Sequence, residues 1–230
     1  MSQKNVWEKE YQNHKLVTGG EMPQKDVLRC LRYLKTKCNF ILEAKTIVDL
    51  GSGTGRNANY LAELGNEVHG IEFAGNAVAL ARNRARAANV VVNYYCQSMA
   101  EQWPLVENQA DLVLDITSSN SLLAEERQKY LQEMFRVLKP GGYIILKALC
   151  SEGDKNAKAL IKKNPGPETN TYVMKELGLV ERVFGRSDLL ATYDKYFNLV
   201  NLDKKTSYTR MNGQSYKRNF WLAILQKSVL

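Results

Sequence analysis

The sequence predicts an α/β fold built on a parallel sheet, and two observations carry that prediction. Short apolar or β-branched runs alternate with amphipathic helical patterns from Thr46 to Leu149, which is how strands and crossover helices read when helices cover both faces of a parallel sheet. A cluster of glycines stands between the first strand of this series and its helix. The composition agrees: 230 residues, 44% hydrophobic and 24% charged, are enough for one domain with a sizeable core.

Each element has its own reason. Residues 1–44 read as a helical N-terminal extension ahead of a domain spanning 45–230. Val6–Gln12 sets Trp7 and Tyr11 one helical turn apart, Thr18–Pro23 is a loop with Gly19 and Gly20, and Gln24–Lys37 repeats Val27, Leu28, Leu31 and Leu34 along one helix face. Thr46–Leu50 is a buried strand and Asn57–Leu64 a helix stopped by Gly65. Glu67–Glu72 is the second strand, Gly75–Ala88 a helix rich in Ala and Arg, Asn89–Tyr95 the third strand and Asp111–Ile116 the fourth. Leu122–Leu138 is a helix closed by Lys139-Pro140-Gly141-Gly142, before a strand at Tyr143–Leu149. Beyond Cys150 the pattern loosens. Asp154–Lys163 reads as helix, Asn164–Thr171 as loop, and Ser187 as the N-cap of a helix running to about Tyr196. Strands at Phe197–Leu202 and Phe220–Gln226 end the chain, joined by Ser207–Arg218.

The stretch KTIVDLGSGTGRNANYLAELG (Lys45–Gly65) is the chemical centre. Asp49 closes the strand, and Gly51, Gly53 and Gly55 follow, separated by Ser52 and Thr54. Glycines let the backbone turn sharply and let a ligand lie against it, while the helix start presents unpaired N–H groups. Strand, glycine turn and helix together point to a nucleotide-type ligand. A dinucleotide G-x-G-x-x-G spacing would put its third glycine at Arg56; the glycine is Gly55 instead. VDLGSGTG therefore resembles motif I of the class I S-adenosylmethionine-dependent methyltransferases, D/E-x-G-x-G-x-G. The resemblance covers Thr46–Leu149 by motif and the remainder by architecture. It implies a Rossmann-like, seven-stranded, mostly parallel sheet with an antiparallel C-terminal strand and helices on both faces. It also implies S-adenosyl-L-methionine as cofactor and S-adenosyl-L-homocysteine as product.

The resemblance assigns expected roles. Asp49 orients the loop and the methionine moiety, and Gly51, Ser52, Gly53 and Gly55 meet the ligand. Glu72, ending the second strand, accepts hydrogen bonds from the ribose hydroxyls, a geometry that NAD sites share. Phe73 lies against adenine or fills core. Members of the family often carry an acid after the third strand; here QSMAEQWP places Gln97 there, whose amide oxygen can accept from the adenine amine. The contact is left open among Gln97, Ser98 and Met99. Leu138–Gly142 (LKPGG) resembles the family's turn before the fifth strand. Asp115 follows as general base, acceptor-orienting group or cofactor contact, and Thr117, Ser119 or Asn120 as caps of the next helix.

Other motifs and residues bear on the chemistry. There is no N/D-P-P-Y/F at this place and no Pro-Cys pair, which argues against amino methylation of nucleic acid bases and against a cysteine nucleophile. Asp154 and Asn156 are not adjacent, so the Asp-Asn pair of metal-dependent catechol-type enzymes is missing and no metal is expected. Trp7 and Tyr11 resemble the lid of small-molecule methyltransferases, where an aromatic face near a sulfonium gains cation–π stabilisation. They equally suit a packing stripe. Tyr11 and His14 are candidate catalytic groups; His69, inside the second strand, reads as structural.

Charge and cysteines bound the partners. The net charge is +8. Residues 1–46 hold nine basic and five acidic side chains, residues 47–150 nine and eleven, and residues 151–230 fourteen and eight. The basic flanks suit solvated surface, or an acidic substrate or RNA. Tyr208, Arg210, Tyr216, Lys217 and Arg218 interleave aromatic and basic groups near the end of the chain. Cys30, Cys38, Cys96 and Cys150 form no C-x-x-C pair. With no apolar run long enough for a membrane span and no secretion-signal core, the expectation is a cytoplasmic protein. The leading expectation is methyl transfer to a small-molecule acceptor. RNA or protein acceptors come second, and a non-catalytic module binding S-adenosylmethionine or NAD is the alternative class.

Overall fold

The computed structural model describes residues 3–12, 20–175, 178–211 and 214–229. At its centre, β1 (Thr46–Leu50), β2 (Glu67–Glu72), β3 (Asn93–Cys96), β4 (Ala110–Ile116) and β5 (Leu138–Leu149) are parallel. β8 (Phe197–Met211) and β9 (Gln214–Lys227) complete a seven-stranded sheet in the order β3-β2-β1-β4-β5-β9-β8. β9 runs antiparallel to both neighbours, so the sheet is the mostly parallel one with a reversed C-terminal strand that the sequence predicts. The chain steps outward from β1 to β3 and then returns to lay β4 on the other side of β1. That reversal opens a crevice at the carboxyl ends of β1 and β4.

Apolar periodicity sets which helix covers which face. α2 (Lys25–Lys37), α3 (Arg56–Glu63) and α4 (Gly75–Ala87) pack Leu34, Leu61 and Ala81 against Ile47, Leu112, Leu114 and Ile145. On the opposite face, α5 (Ala124–Val137) and α7 (Arg186–Tyr193) pack Tyr130, Met134 and Leu189 against Val48, Val113, Ile144 and Leu146. α1 (Gln3–Gln12) lies apart from both layers and packs Tyr11 and Trp7 against Phe73, Ala74 and Ala77.

The structure departs from the sequence expectations at identifiable places. The third strand begins at Asn93 rather than Asn89, because the end of α4 unwinds through Asn89, at φ 55°, with Val90 N–H bonded back to Ala85. β5 already starts at Leu138, which pairs with Ala110 before a register shift, so Leu138–Gly142 is irregular strand rather than a separate turn. Gly185, not Ser187, is the N-cap of α7. Its start is fixed by Phe184, whose carbonyl accepts from Ser151 N–H and from the Trp221 indole. Ser207–Arg218 is not a linker: β8 and β9 stay paired out to Met211 and Gln214. β5 ends at Leu149 opposite Phe220, so the outer half of this hairpin projects past the carboxyl end of β5. A second small sheet, β6 (Thr171–Met174) with β7 (Leu179–Arg182), follows α6 (Lys155–Lys163) and had no counterpart in the sequence reading. No described helix is long and apolar enough to cross a membrane.

Candidate functional site

A cavity of about 570 Å³ fills the crevice, within the range of small-molecule and cofactor sites. Its floor is the glycine loop. Gly51, Gly53 and Gly55 all have positive φ, at 59°, 54° and 81°. A Cβ on Gly51 would lie 2.3 Å from Ser118 Oγ, and one on Gly53 would lie 2.8 Å from the Tyr11 hydroxyl. The loop therefore needs glycine for conformation and for the close approach of its neighbours. Tyr94 supports it from beneath, with its hydroxyl on Asn59 Oδ1 at 2.6 Å. Gly55 N-caps α3 without a side-chain cap, and in the first turn of α3 Ala58 donates its backbone N–H to the Asp49 carboxylate.

Two carboxylates converge on this floor. Glu72 Oε2 accepts from Gly53 N–H at 3.0 Å and Oε1 from Ala74 N–H at 2.9 Å. Burial pushes its carboxyl up to about 7, and these backbone hydrogen bonds oppose the rise. Burial also pushes the Asp49 carboxyl up to about 7; the Arg56 guanidinium pulls it down and Glu72 adds to the rise. Asp49 Oδ2 and Ser52 Oγ are buried with no hydrogen-bond partner. An orphaned buried oxygen is costly, and two of them on the wall of a cavity mark where a ligand's donors belong. The donor set, the glycine cradle and the volume fit S-adenosylmethionine.

The expected site residues separate into three groups. Asp49, Gly51, Ser52, Gly53, Glu72, Phe73, Gln97, Ser98 and Met99 all line the cavity, while Gly55 lies buried beneath the loop. Tyr11 lines it too, but over Gly53 and beside Glu72 and Asp49 rather than as a base. Burial first, and the nearby Glu72 second, push its phenol well above the ordinary 10. Asp115 is fully buried and does not reach the cavity. Its Oδ1 accepts from Ser118 and Ser119 N–H at 3.1 and 3.2 Å, and its Oδ2 from the Tyr130 hydroxyl at 2.7 Å. The general base and cofactor contact expected of Asp115 are corrected accordingly: it fixes the turn that carries Ser118 against Gly51. His14 lies outside the described residues. His69 is buried between Glu67 and Tyr95 and away from the cavity. Of the expected helix caps, Asn120 instead accepts from Leu149 N–H at 3.1 Å.

Sequence reasoning missed several lining groups. Arg56 follows the last glycine and interacts with Asp49. Gln24 and Asn57 come together through Gln24 N–H on Asn57 Oδ1 at 2.9 Å. Gln3 and Lys4 extend the wall from α1 beside the expected Trp7, and Ser121, Leu122 and Glu126 close it at the start of α5. These meet only through tertiary contacts; the glycine loop alone had a local signal. Among the described residues, no group of three or more His, Cys, Asp or Glu side chains could hold a metal.

Comparison with known proteins agrees with this geometry. Residues 48–146 match the family described as a methyltransferase domain. The chain is 27% identical over 176 residues to phosphoethanolamine N-methyltransferase of Plasmodium falciparum, covering 76% of this chain and 62% of that one. It is 34% identical over 114 residues to a ubiquinone/menaquinone biosynthesis C-methyltransferase of Vibrio cholerae, covering 47% and 43%. It therefore spans under two thirds of these relatives' lengths. Among solved structures, a SAM-dependent methyltransferase from Methanosarcina mazei superimposes with a TM-score of 0.74 at 23% identity, over 84% of this chain and 97% of that one. The motif, the sheet order and the matched domain agree: residues 48–146 form a methyltransferase domain of the class I S-adenosylmethionine-dependent kind.

Proposed function

We propose that this protein transfers a methyl group from S-adenosylmethionine to a small-molecule acceptor. The observation that carries the reading is one cavity, at the β1/β4 switch point, which α1 covers with Trp7 and Tyr11. Bound there, S-adenosylmethionine supplies a methyl group already activated by the sulfonium charge. The protein's part is to hold and align. Glu72 holds the ribose hydroxyls, Asp49 and Ser52 take donors of the methionine end, and Arg56 faces its carboxylate. Phe73, Gln97, Ser98 and Met99 border adenine. Trp7, Ser118, Ser121 and Leu122 line the acceptor end. Proximity supplies much of the rate in such a step, with effective molarities on the order of 10⁵ M in well-oriented systems. In this reading residues 1–44 remain an extension of the domain over 45–230, but only α1 does the covering, because α2 is packed into the core. The four free thiols suit a cytoplasmic setting.

A second reading has its own observation. Lys155, Lys158, Lys162 and Lys163 on α6, Lys204 on β8 and Lys217 on the projecting hairpin are exposed, a basic surface that suits an RNA or acidic protein acceptor. Methyl-labelled S-adenosylmethionine, incubated with the protein and either whole or desalted cell extract, separates the two. Label in the low-mass fraction, and only with whole extract, supports the small-molecule acceptor. Label in RNA or protein from desalted extract reverses the ranking. Glu72→Ala and Gly53→Val should each abolish the transfer. Binding without turnover on any acceptor would favour a non-catalytic module.

A further inference from the structure

α1 is held over the cavity by one carboxylate that belongs to neither the sheet nor the glycine loop. Glu8 Oε1 accepts from Gly75 N–H at 2.7 Å and Oε2 from Asn76 N–H at 3.1 Å. The Asn76 amide returns a bond to the Glu8 carbonyl at 3.2 Å. These N–H groups open α4, whose own N-cap, Ala74, has no side chain able to cap. The preceding N–H, that of Ala74, goes to Glu72. Three consecutive donors at the positive end of one helix are thus divided between Glu72, on the cavity floor, and Glu8, on its cover. The apolar contacts follow the same line: Tyr11 and Trp7 pack on Phe73, Ala74 and Ala77. Gln3 ties the other end of α1, donating to Ser121 O at 2.6 Å and accepting from Val180 N–H at 3.3 Å.

We propose that Glu8 is a positioning residue for cofactor retention: by capping α4 from α1, it docks the cover and fixes the Glu72–Gly75 turn in a single contact. The inference rests on the reading that the cavity holds S-adenosylmethionine. An ionised carboxylate on two N–H groups at a helix start is a charge-assisted contact. Its loss frees α1 at the end where Tyr11 and Trp7 sit. The bound ligand then leaves faster, while the encounter, governed by the cavity floor, changes little.

The test uses the whole chain with S-adenosylhomocysteine as the probe. Calorimetry and stopped-flow dissociation are run on wild type, Glu8→Ala and Glu8→Gln, and amide exchange of residues 3–12 is followed with and without saturating probe. The expected result is a Kd raised roughly tenfold in Glu8→Ala, carried by the dissociation rate. Partial recovery is expected in Glu8→Gln, which keeps an acceptor oxygen but no charge. Exchange in α1 should be slowed by the probe in wild type and stay fast in Glu8→Ala even at saturation. Exchange in β1 and β4, unchanged across the three proteins, reports that the sheet is folded. Wild-type affinity and wild-type protection of α1 in Glu8→Ala would overturn the role of Glu8 and leave the cofactor reading standing. Failure of the wild type to bind the probe would overturn both.

Discussion

Asp49 and Glu72 are placed where folding and binding make opposite demands. Each carboxyl is pushed up to about 7 from ordinary values of 3.8 and 4.5. Between these limits the folded, ligand-free protein holds protons that the unfolded chain has released. The stability of that state therefore falls as pH rises through this window and is lowest above it. Ligand donors favour the ionised carboxylates, so binding runs the other way. Affinity for S-adenosylhomocysteine should be about a hundredfold weaker at pH 6 than at pH 8, roughly a factor of ten for each of the two carboxyls that must ionise. Calorimetry in buffers of different ionisation enthalpy should show protons released on binding near pH 6. Asp49→Asn removes one of the two titrations. It should flatten the pH profile, weaken binding at pH 8 and raise the ligand-free Tm there, a change in which stability and function part. Residues of this kind were partly legible. Asp49 and Glu72 end their strands beside a glycine turn, so the chain itself delivers them. Asp115 also ends a strand, but it alternates with Leu114 and Ile116 and shares its sheet face with Val113. It therefore points under α5 toward Tyr130, and strand alternation was the signal that told against a role in the cavity.

Elements differ in how much of their own structure they specify. β1, β2 and β4 are interior to the sheet and buried on both faces, and the sequence marks them within one residue. The outer hairpin of β8 and β9 is polar because it leaves the sheet; its pairing comes from the partner strand, which no single run of residues announces. β6 and β7 are four residues each, too short for a period to show. α5 shows how a distant residue completes an element. Its last carbonyls have no partner inside the helix, and Lys227 at the end of β9 supplies one. Lys227 Nζ donates to Phe135 O at 2.6 Å, Leu138 O at 2.8 Å and Asn108 Oδ1 at 2.9 Å, and it stands over the Phe135 ring. Lys227→Met keeps the buried stem and removes all three donations. It should cost about 1–3 kcal/mol, the loss expected when buried acceptors are left unpaired. Thermal melts should show a Tm several degrees lower, with affinity for S-adenosylhomocysteine unchanged, because the site lies at the opposite end of α5.

At the scale of the molecule, the cavity gathers parts that are remote in sequence. The glycine loop, the ends of β2, β3 and β4, the start of α5 and one face of α1 share one wall. α1 in turn is tied to α4 by Glu8 and to β7 by Gln3. A ligand in the cavity therefore bridges both halves of the sheet and the cover, and its binding free energy is added to the stability of the folded chain as a unit. At a hundred times its Kd, S-adenosylhomocysteine should add about 2.7 kcal/mol. For a chain of this length that is a Tm rise of roughly 5–10 °C. Glu72→Ala should abolish the rise, and Lys227→Met should keep it in full from a lower starting Tm. Glu8→Ala should reduce it at a fixed probe concentration and restore it when the probe is raised in proportion to the weakened Kd. A rise in Glu72→Ala equal to that of wild type would mean that the probe binds outside the cavity, and the placement of the cofactor would fail with it.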